Sequence, residues 1–252
     1  MTNDAVLTVE GMSKSFGGID AVHDVSFAVA AGELVALIGP NGAGKTTCFN
    51  LIDGQLAPDA GTVTLGGSRI DGLPARSIAR MGVGRTFQVA ATFASMSVRE
   101  NVQLALLSHR GAHGGVAARA TDCLRSEADA LLERVRMSKF ADQGCATLAY
   151  GDAKRVELTL ALAGKPRLLL MDEPTAGMSP RSRGRLMQLA AEVARSEQIA
   201  VLFTEHDMDV VFGHADRVIV LDHGRIIAEG TPTAIRANAE VQAVYLGEEP
   251  VA

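Results

Sequence analysis

Residues 39–46 read Gly-Pro-Asn-Gly-Ala-Gly-Lys-Thr, between the apolar run LVALIG (34–39) and KTTCFNLIDG (45–54), whose apolar residues recur at helical spacing. The pattern G-x-x-x-x-G-K-[ST] set between a strand and a helix constrains the fold more than any other segment. An unbroken apolar run of this kind is a strand buried on both faces, as in a parallel sheet. The glycines let backbone N–H groups converge, and the helix start adds the positive end of its dipole. Such a loop is built for a nucleotide phosphate. Lys45 would reach the β- and γ-phosphates and the Thr46 hydroxyl would bind Mg²⁺, with Gly39, Pro40, Asn41, Gly42, Ala43, Gly44 and Thr47 completing the cradle.

The rest of the chain alternates around this unit. Short β-like runs at 7–9 and 25–29 are separated by Gly17-Gly18 and closed by Gly32, and TVTLGG (62–67) reads as a short strand after a turn. From about Val89 to Gly164 the character is helical. Ser97-Val98-Arg99-Glu100 fits a capping box, RGAHGGVA (110–117) reads as a flexible connection, and helical spacing resumes at 122–136. Buried strands return at RLLLMDE (167–173) and IAVLFTE (199–205), with a helix over 181–197 between them. RVIVLDHGRIIAEG (217–230) reads as a hairpin and VQAVYLG (241–247) as a short helix. Strands alternating with helices predict an α/β fold with a mostly parallel sheet covered on both faces. The expectation is one domain over 1–252: a P-loop NTPase core with an antiparallel β portion at its N-terminus and a helical subdomain insert at about 89–164.

Composition narrows the function classes. With 47% apolar residues but no Trp and two Tyr, an aliphatic core is expected. The net charge is -5 and no Lys/Arg run supplies the basic stripe of a duplex binder, so no nucleic-acid partner is expected. Cys48, Cys123 and Cys145 have no metal-ligand spacing and read as reduced thiols. The first sixteen residues lack the apolar core of a signal peptide. The longest apolar runs, such as 199–203, are about five residues where a membrane-spanning helix needs roughly 20. Any membrane role is therefore expected to come through a partner.

Several further residues carry possible chemistry. Asp172 and Glu173 end a buried strand, at the edge where open α/β sheets bind ligands. They suit a Mg²⁺ carboxylate and a group that polarises an attacking water, or an acid pair capping the next helix. His206 ends the second such strand and is either structural or a partner for the γ-phosphate and the water. Gln88 follows the strand-like VGRTF. Phe16, before Gly17-Gly18, could stack on a purine or belong to the core. Leu148-Ala149-Tyr150-Gly151-Asp152 precedes a helical run and forms either a second anion site or a plain helix start.

Taken together and in order, the phosphate loop, Gln88, LAYGD (148–152), LLLMDEP and His206 in TEHDMDVV resemble ABC-transporter nucleotide-binding domains over essentially the whole chain. GGIDAVHDVSF, GVGRTFQ, DEPTAGMSP and the YLGEE ending look like ATPase subunits of branched-chain-amino-acid importers, and lipopolysaccharide-export ATPases share part of the pattern. The resemblance implies an ATPase using ATP and Mg²⁺ in a head-to-tail dimer of two ATPase subunits. Each ATP would lie between one subunit's phosphate loop and the other's LAYGD segment. It implies that Phe16 stacks on adenine, Gln88 joins Mg²⁺ or the water to the helical insert, Glu173 is the general base and His206 the switch residue. It also implies integral membrane permease subunits, a substrate-binding protein acting indirectly, and a cytoplasmic place on the inner face of the membrane.

Two positions depart from the family pattern. Ala149 stands where Ser is common, removing a hydroxyl from the site completed for the partner, and Ser179 stands where Asp is usual. Both are compatible with a heterodimer with unequal sites. Two other readings are an ABC-type ATPase in cofactor assembly or regulation, and a P-loop small-molecule kinase, which gives no reason for LAYGD. No N-K-x-D segment is present to read guanine.

Overall fold

In a computed structural model, which describes residues 5–86, 92–110 and 117–246, two sheets share the work of the fold. Strands β1 (Ala5–Phe16) and β2 (Ile19–Ala30) form an antiparallel hairpin. With β4 (Ala60–Leu65) and β5 (Ser68–Arg69) they make a four-stranded sheet in the order β2-β1-β4-β5. The second sheet holds β3 (Leu34–Ile38), β6 (Val83–Thr86), β7 (Leu168–Asp172), β8 (Ala200–Thr204), β9 (Arg217–Asp222) and β10 (Arg225–Gly230). Its order is β10-β9-β3-β8-β7-β6, all parallel except β10, which pairs antiparallel with β9.

The unbroken apolar strands are explained by two cores, one on each face of this sheet. Leu34, Ala36 and Ile38 of β3 join one cluster with Leu169 and Met171 of β7 and Val201 and Phe203 of β8. The intervening Val35, Leu37, Leu168, Leu170, Ala200 and Leu202 join the other, with the hairpin and helix α1 (Lys45–Ile52). Because successive side chains point to opposite faces, a strand covered on both sides must be apolar throughout.

The helical portion lies between β6 and β7 in the chain: α3 (Val98–Arg110), α4 (Ala117–Arg134) and α5 (Tyr150–Leu162), with 3₁₀ turns at Ser138–Phe140 and Cys145–Thr147. The capping box forms as expected. Glu100 Oε2 accepts from the Ser97 N–H (2.7 Å), and Ser97 Oγ accepts from the Glu100 N–H (3.2 Å). The helices α6 (Pro180–Glu197) and α9 (Ala239–Leu246) match their periodicity. Residues 111–116 of the expected flexible connection lie outside the described residues.

Three short helices were not legible from spacing: α2 (Ala75–Arg80), α7 (Met208–His214) and α8 (Pro232–Arg236). At two turns or fewer, a 3.6-residue period has no room to register, and α7 and α8 rest on the Asp207 and Thr231 caps. The hairpin strands also run to 12 residues each, well past the apolar stretches read as strand, with register shifts that break the alternation. Among the described residues, no helix is long and apolar enough to cross a membrane.

Candidate active site

The phosphate loop leaves β3 at Ile38 and enters α1 at Lys45. Two close approaches explain its glycines. A Cβ on Gly39 would run into the Leu221 carbonyl oxygen, and one on Gly44 into the Ala21 carbonyl oxygen. Gly44, the N-cap of α1, also has φ +104°, which L side chains avoid. Lys45 Nζ donates to the carbonyl oxygens of Gly39 (2.6 Å) and Pro40 (2.9 Å), so the ammonium is held across the loop. Thr46 is exposed and Thr47 half-buried, and the first-turn N–H groups of α1 have no acceptor within the helix. A fixed cation, an exposed hydroxyl and N–H groups without a helical acceptor lie together at the start of α1, an arrangement able to bind a phosphate.

Phe16 lies exposed at the tip of the β1–β2 hairpin, opposite Ile19. The Lys14 ammonium is 5.7 Å from its ring centroid. The same hairpin brings Ala21 against the start of α1. An exposed ring on this hairpin is of the kind that can stack on a base.

At the C-terminal ends of β7 and β8, the carboxylates and the histidine meet. The Asp172 carboxylate is buried, and its Oδ1 accepts from Thr204 Oγ1 (2.8 Å). Glu173 has φ +46°, strained for a residue with a Cβ, and its N–H donates to Thr204 O (3.2 Å) and Oγ1 (3.1 Å). Strain of this kind costs about 1–3 kcal/mol and clusters at functional sites. It turns the side chain toward His206, whose Nε2 lies 2.8 Å from Glu173 Oε1. A carboxylate only accepts, so Nε2 carries the proton in this pairing. The oxygen donors of Thr46 and Asp172 are of the type Mg²⁺ takes, and a carboxylate with about four lone-pair sites keeps capacity for it. Gln88, expected as a third Mg²⁺ group, lies outside the described residues.

The LAYGD segment occupies the start of α5, with Ala149 as N-cap and no side-chain cap. Leu148 is half-buried and Ala149 exposed. Tyr150 Oη donates to Ala176 O (3.0 Å), Gly151 faces Met178 and Ser182, and Asp152 pairs with Arg155. The segment thus packs on the turn that follows Glu173. Ser179 N-caps α6, and its hydroxyl bonds Ser182 Oγ (3.0 Å).

Four supporting residues escaped the sequence reading. Glu205 is buried and accepts the N–H (2.8 Å) and hydroxyl (2.7 Å) of Thr175. Arg183 donates from Nε to Met178 O (2.8 Å) and pairs with Asp207, the N-cap of α7. These two contacts tie the turn after Glu173 to the turn around His206. Thr204 holds Asp172, and Arg85 reaches Asp172 from the other side. A charge in the short strand VGRT, and a buried acid next to His206, were the available signals.

A groove of about 580 Å³ lies between the helical portion and the core. Phe93 and Leu104 are exposed along it, and Asp53, Thr86 and Glu157 also line it. Burial pushes the Glu157 carboxyl up despite its bond to Lys154 Nζ (3.0 Å). Among the described residues, the buried Thr86 hydroxyl has no hydrogen-bond partner.

The sequence profile of the family described as ABC transporter matches residues 22–176. The profile described as branched-chain amino acid ATP-binding cassette transporter matches residues 225–251. The high-affinity branched-chain amino acid transport ATP-binding protein LivG of Salmonella typhimurium is 40% identical over 252 residues, covering 96% of this chain and 98% of that protein. The solved ADP conformation of an ATP-binding cassette of an ABC transporter is 28% identical, with TM-score 0.85, over 97% of this chain and 99% of the other. A dimeric post-hydrolysis state of another ATP-binding cassette, bound to ADP and Pi, is 26% identical, with TM-score 0.75, over 90% of this chain and 98% of the other.

Proposed function

This chain belongs to the ABC transporter family as one of its ATP-binding proteins, and from that premise we propose that it is the ATP-hydrolysing subunit of an importer for branched-chain or related amino acids. The observation that supports the site reading best is the His206–Glu173 pair, set beside Asp172 on the sheet edge that also carries the phosphate loop. The substrate class rests on the likeness to LivG and on the match at residues 225–251.

In this reading Lys45 and the N–H groups of Gly39 and 41–47 bind the β- and γ-phosphates, and Phe16 stacks on the adenine. Thr46, Asp172 and Gln88 would hold Mg²⁺, which when bound would neutralise charge on the phosphate oxygens. Glu173 takes the proton of the attacking water. His206, bonded to Glu173 Oε1, fixes the direction of that carboxylate and can turn its Nε2 proton to the γ-phosphate. Fixed donors and acceptors of this sort do most of the catalysis in phosphoryl transfer.

The LAYGD segment (148–152) serves the ATP of a second ATPase subunit, in a head-to-tail dimer. Its outward-facing Ala149 and the dimeric ADP and Pi complex of a related cassette support this arrangement. Residues 89–164 act as a helical subdomain of a single ABC domain over 1–252. The groove beside it seats a segment of an integral membrane permease subunit. Its exposed Phe93 and Leu104 supply apolar contact, and Thr86 supplies a hydroxyl ready for a donor or acceptor. A substrate-binding protein acts through the permease, no nucleic acid is involved, and the chain sits peripherally on the inner face of the cell membrane.

Co-sedimentation tests this. The chain should pellet with membranes that contain its permease subunits and stay in the supernatant with membranes that lack them. Pelleting with neither would leave a soluble ABC-type ATPase.

A further inference from the structure

Arg85 is the only charged residue of β6, and its side chain is 11% exposed. One terminal nitrogen, Nη1, donates to Asn50 Oδ1 (2.8 Å) and Asp53 Oδ2 (2.7 Å). The other, Nη2, donates to Asp172 Oδ2 (3.1 Å). The guanidinium carbon lies 5.7 Å from the Phe49 ring centroid. Phe49 and Asn50 lie in α1 and Asp53 caps its end, so contacts spread over about one turn fix the guanidinium to the C-terminal part of the helix that begins with Lys45 and Thr46. Asp53 is itself steadied by Gln55, through Nε2 (2.8 Å) and the backbone N–H (3.2 Å).

The sheet order makes the consequence specific. β7 lies between β8 and β6, and each neighbour supplies one donor to the carboxylate at its end. Thr204 of β8 takes Oδ1 and Arg85 of β6 takes Oδ2. The carboxylate therefore cannot rotate without losing a bond to a buried donor. Arg85 also spans the two elements that present Thr46 and Asp172.

We propose that Arg85 is a positioning residue for the nucleotide reaction, holding Asp172 at a fixed separation from the phosphate-loop helix so that both can serve one Mg²⁺. This rests on the reading of Thr46 and Asp172 as Mg²⁺ groups. A planar guanidinium reaches three oxygens at once, whereas a lysine ammonium is a point charge on a flexible stem. Arg85→Lys keeps the charge and loses the geometry, and Asp53→Asn keeps the shape and weakens the anchor.

The test is binding of a fluorescent ATP analogue to the purified chain, titrated with Mg²⁺ and repeated in EDTA. In Arg85→Lys, affinity in EDTA should stay at the wild-type value. The half-saturating Mg²⁺ concentration should rise by about 10-fold, as for one lost hydrogen bond to a charged group. Asp53→Asn should move it the same way, and the double variant should add little to Arg85→Lys, as expected for residues acting through one contact. A folded Arg85→Lys chain with unchanged Mg²⁺ dependence, or with an equal loss in EDTA, would overturn the proposal. Should Arg85→Lys fail to fold, Asp53→Asn decides on the same terms. If Mg²⁺ leaves analogue binding by the wild-type chain unchanged, the Mg²⁺ reading of the site fails and the proposal with it.

Discussion

Replacing Ala149 with serine should change two quantities that can be measured separately. Ala149 is the N-cap of α5, with φ -63° and ψ 147°, the extended conformation of a capping residue. Its carbonyl already accepts from Asp152 N (2.9 Å) and Ala153 N (3.0 Å), so the helix start is formed and lacks only a side-chain acceptor. The position is exposed and has room for a hydroxyl. A serine cap in place of alanine is worth about 1 kcal/mol. In a chain of this size that raises the unfolding temperature by roughly 2–4 °C.

In the proposed head-to-tail dimer, the same hydroxyl can donate its proton to a phosphate of the opposing subunit while its oxygen accepts from the helix. A hydrogen bond to a charged group contributes about 1.5–3 kcal/mol, or roughly 10- to 150-fold in affinity. Thermal denaturation of the isolated chain without nucleotide reads the first effect. The ATP dependence of hydrolysis in the assembled complex reads the second, where Ala149→Ser should raise the rate at limiting ATP. An unchanged or lower unfolding temperature would refute the cap reasoning. An unchanged ATP dependence would refute the claim that this segment lacks a phosphate contact.

Three further outcomes follow from the same geometry. Gly44→Ala forces a Cβ into the Ala21 carbonyl at φ +104°; left-handed strain and overlap together should cost roughly 2–5 kcal/mol in urea denaturation, and a loss below about 1 kcal/mol would contradict the crowding. Burial holds the His214 imidazole below the usual histidine range. Its neutral form is favoured in the fold, so that stability is present above the unfolded value near 6.5 and lost as pH falls through the lower folded value. Melting temperature should therefore fall on acidification less steeply in His214→Gln than in the wild type, and equal slopes would contradict this. The Cys48 thiol is pushed up to about 12 by burial, so iodoacetamide at pH 8 should leave its peptide unmodified in the native chain and label it after unfolding. Equal labelling in both states would show the site to be open.

The parallel core was legible because burial on both faces leaves β3, β7 and β8 apolar up to the Asp172 and Thr204 that end the last two, and such runs stand out in any sequence. The phosphate loop was legible because its spacing fixes a backbone shape. The capping box at Ser97 was legible for the same reason. The short helices α2, α7 and α8 were not, since their starts depend on single residues such as Asp207 and Thr231. Nor could spacing reveal that Arg85, 87 positions from Asp172, would reach it across neighbouring strands. Glu205 passed as the end of a strand beside the more conspicuous His206, although the fold uses it to hold Thr175. Contacts made between distant segments leave no periodic trace, and here they supply the support of the site rather than its reacting groups.

Mg²⁺-dependent ATP hydrolysis decides whether this chain is a transporter ATPase, measured on the purified chain and on its complex with the membrane subunits, beside Lys45→Ala and Glu173→Gln. Turnover should appear in the complex, be stimulated over that of the isolated chain, and be lost in both variants, with nucleotide binding retained in Glu173→Gln. Turnover at the wild-type rate in Glu173→Gln would contradict the assignment of the base, and no turnover by the wild-type chain in either setting would contradict the function.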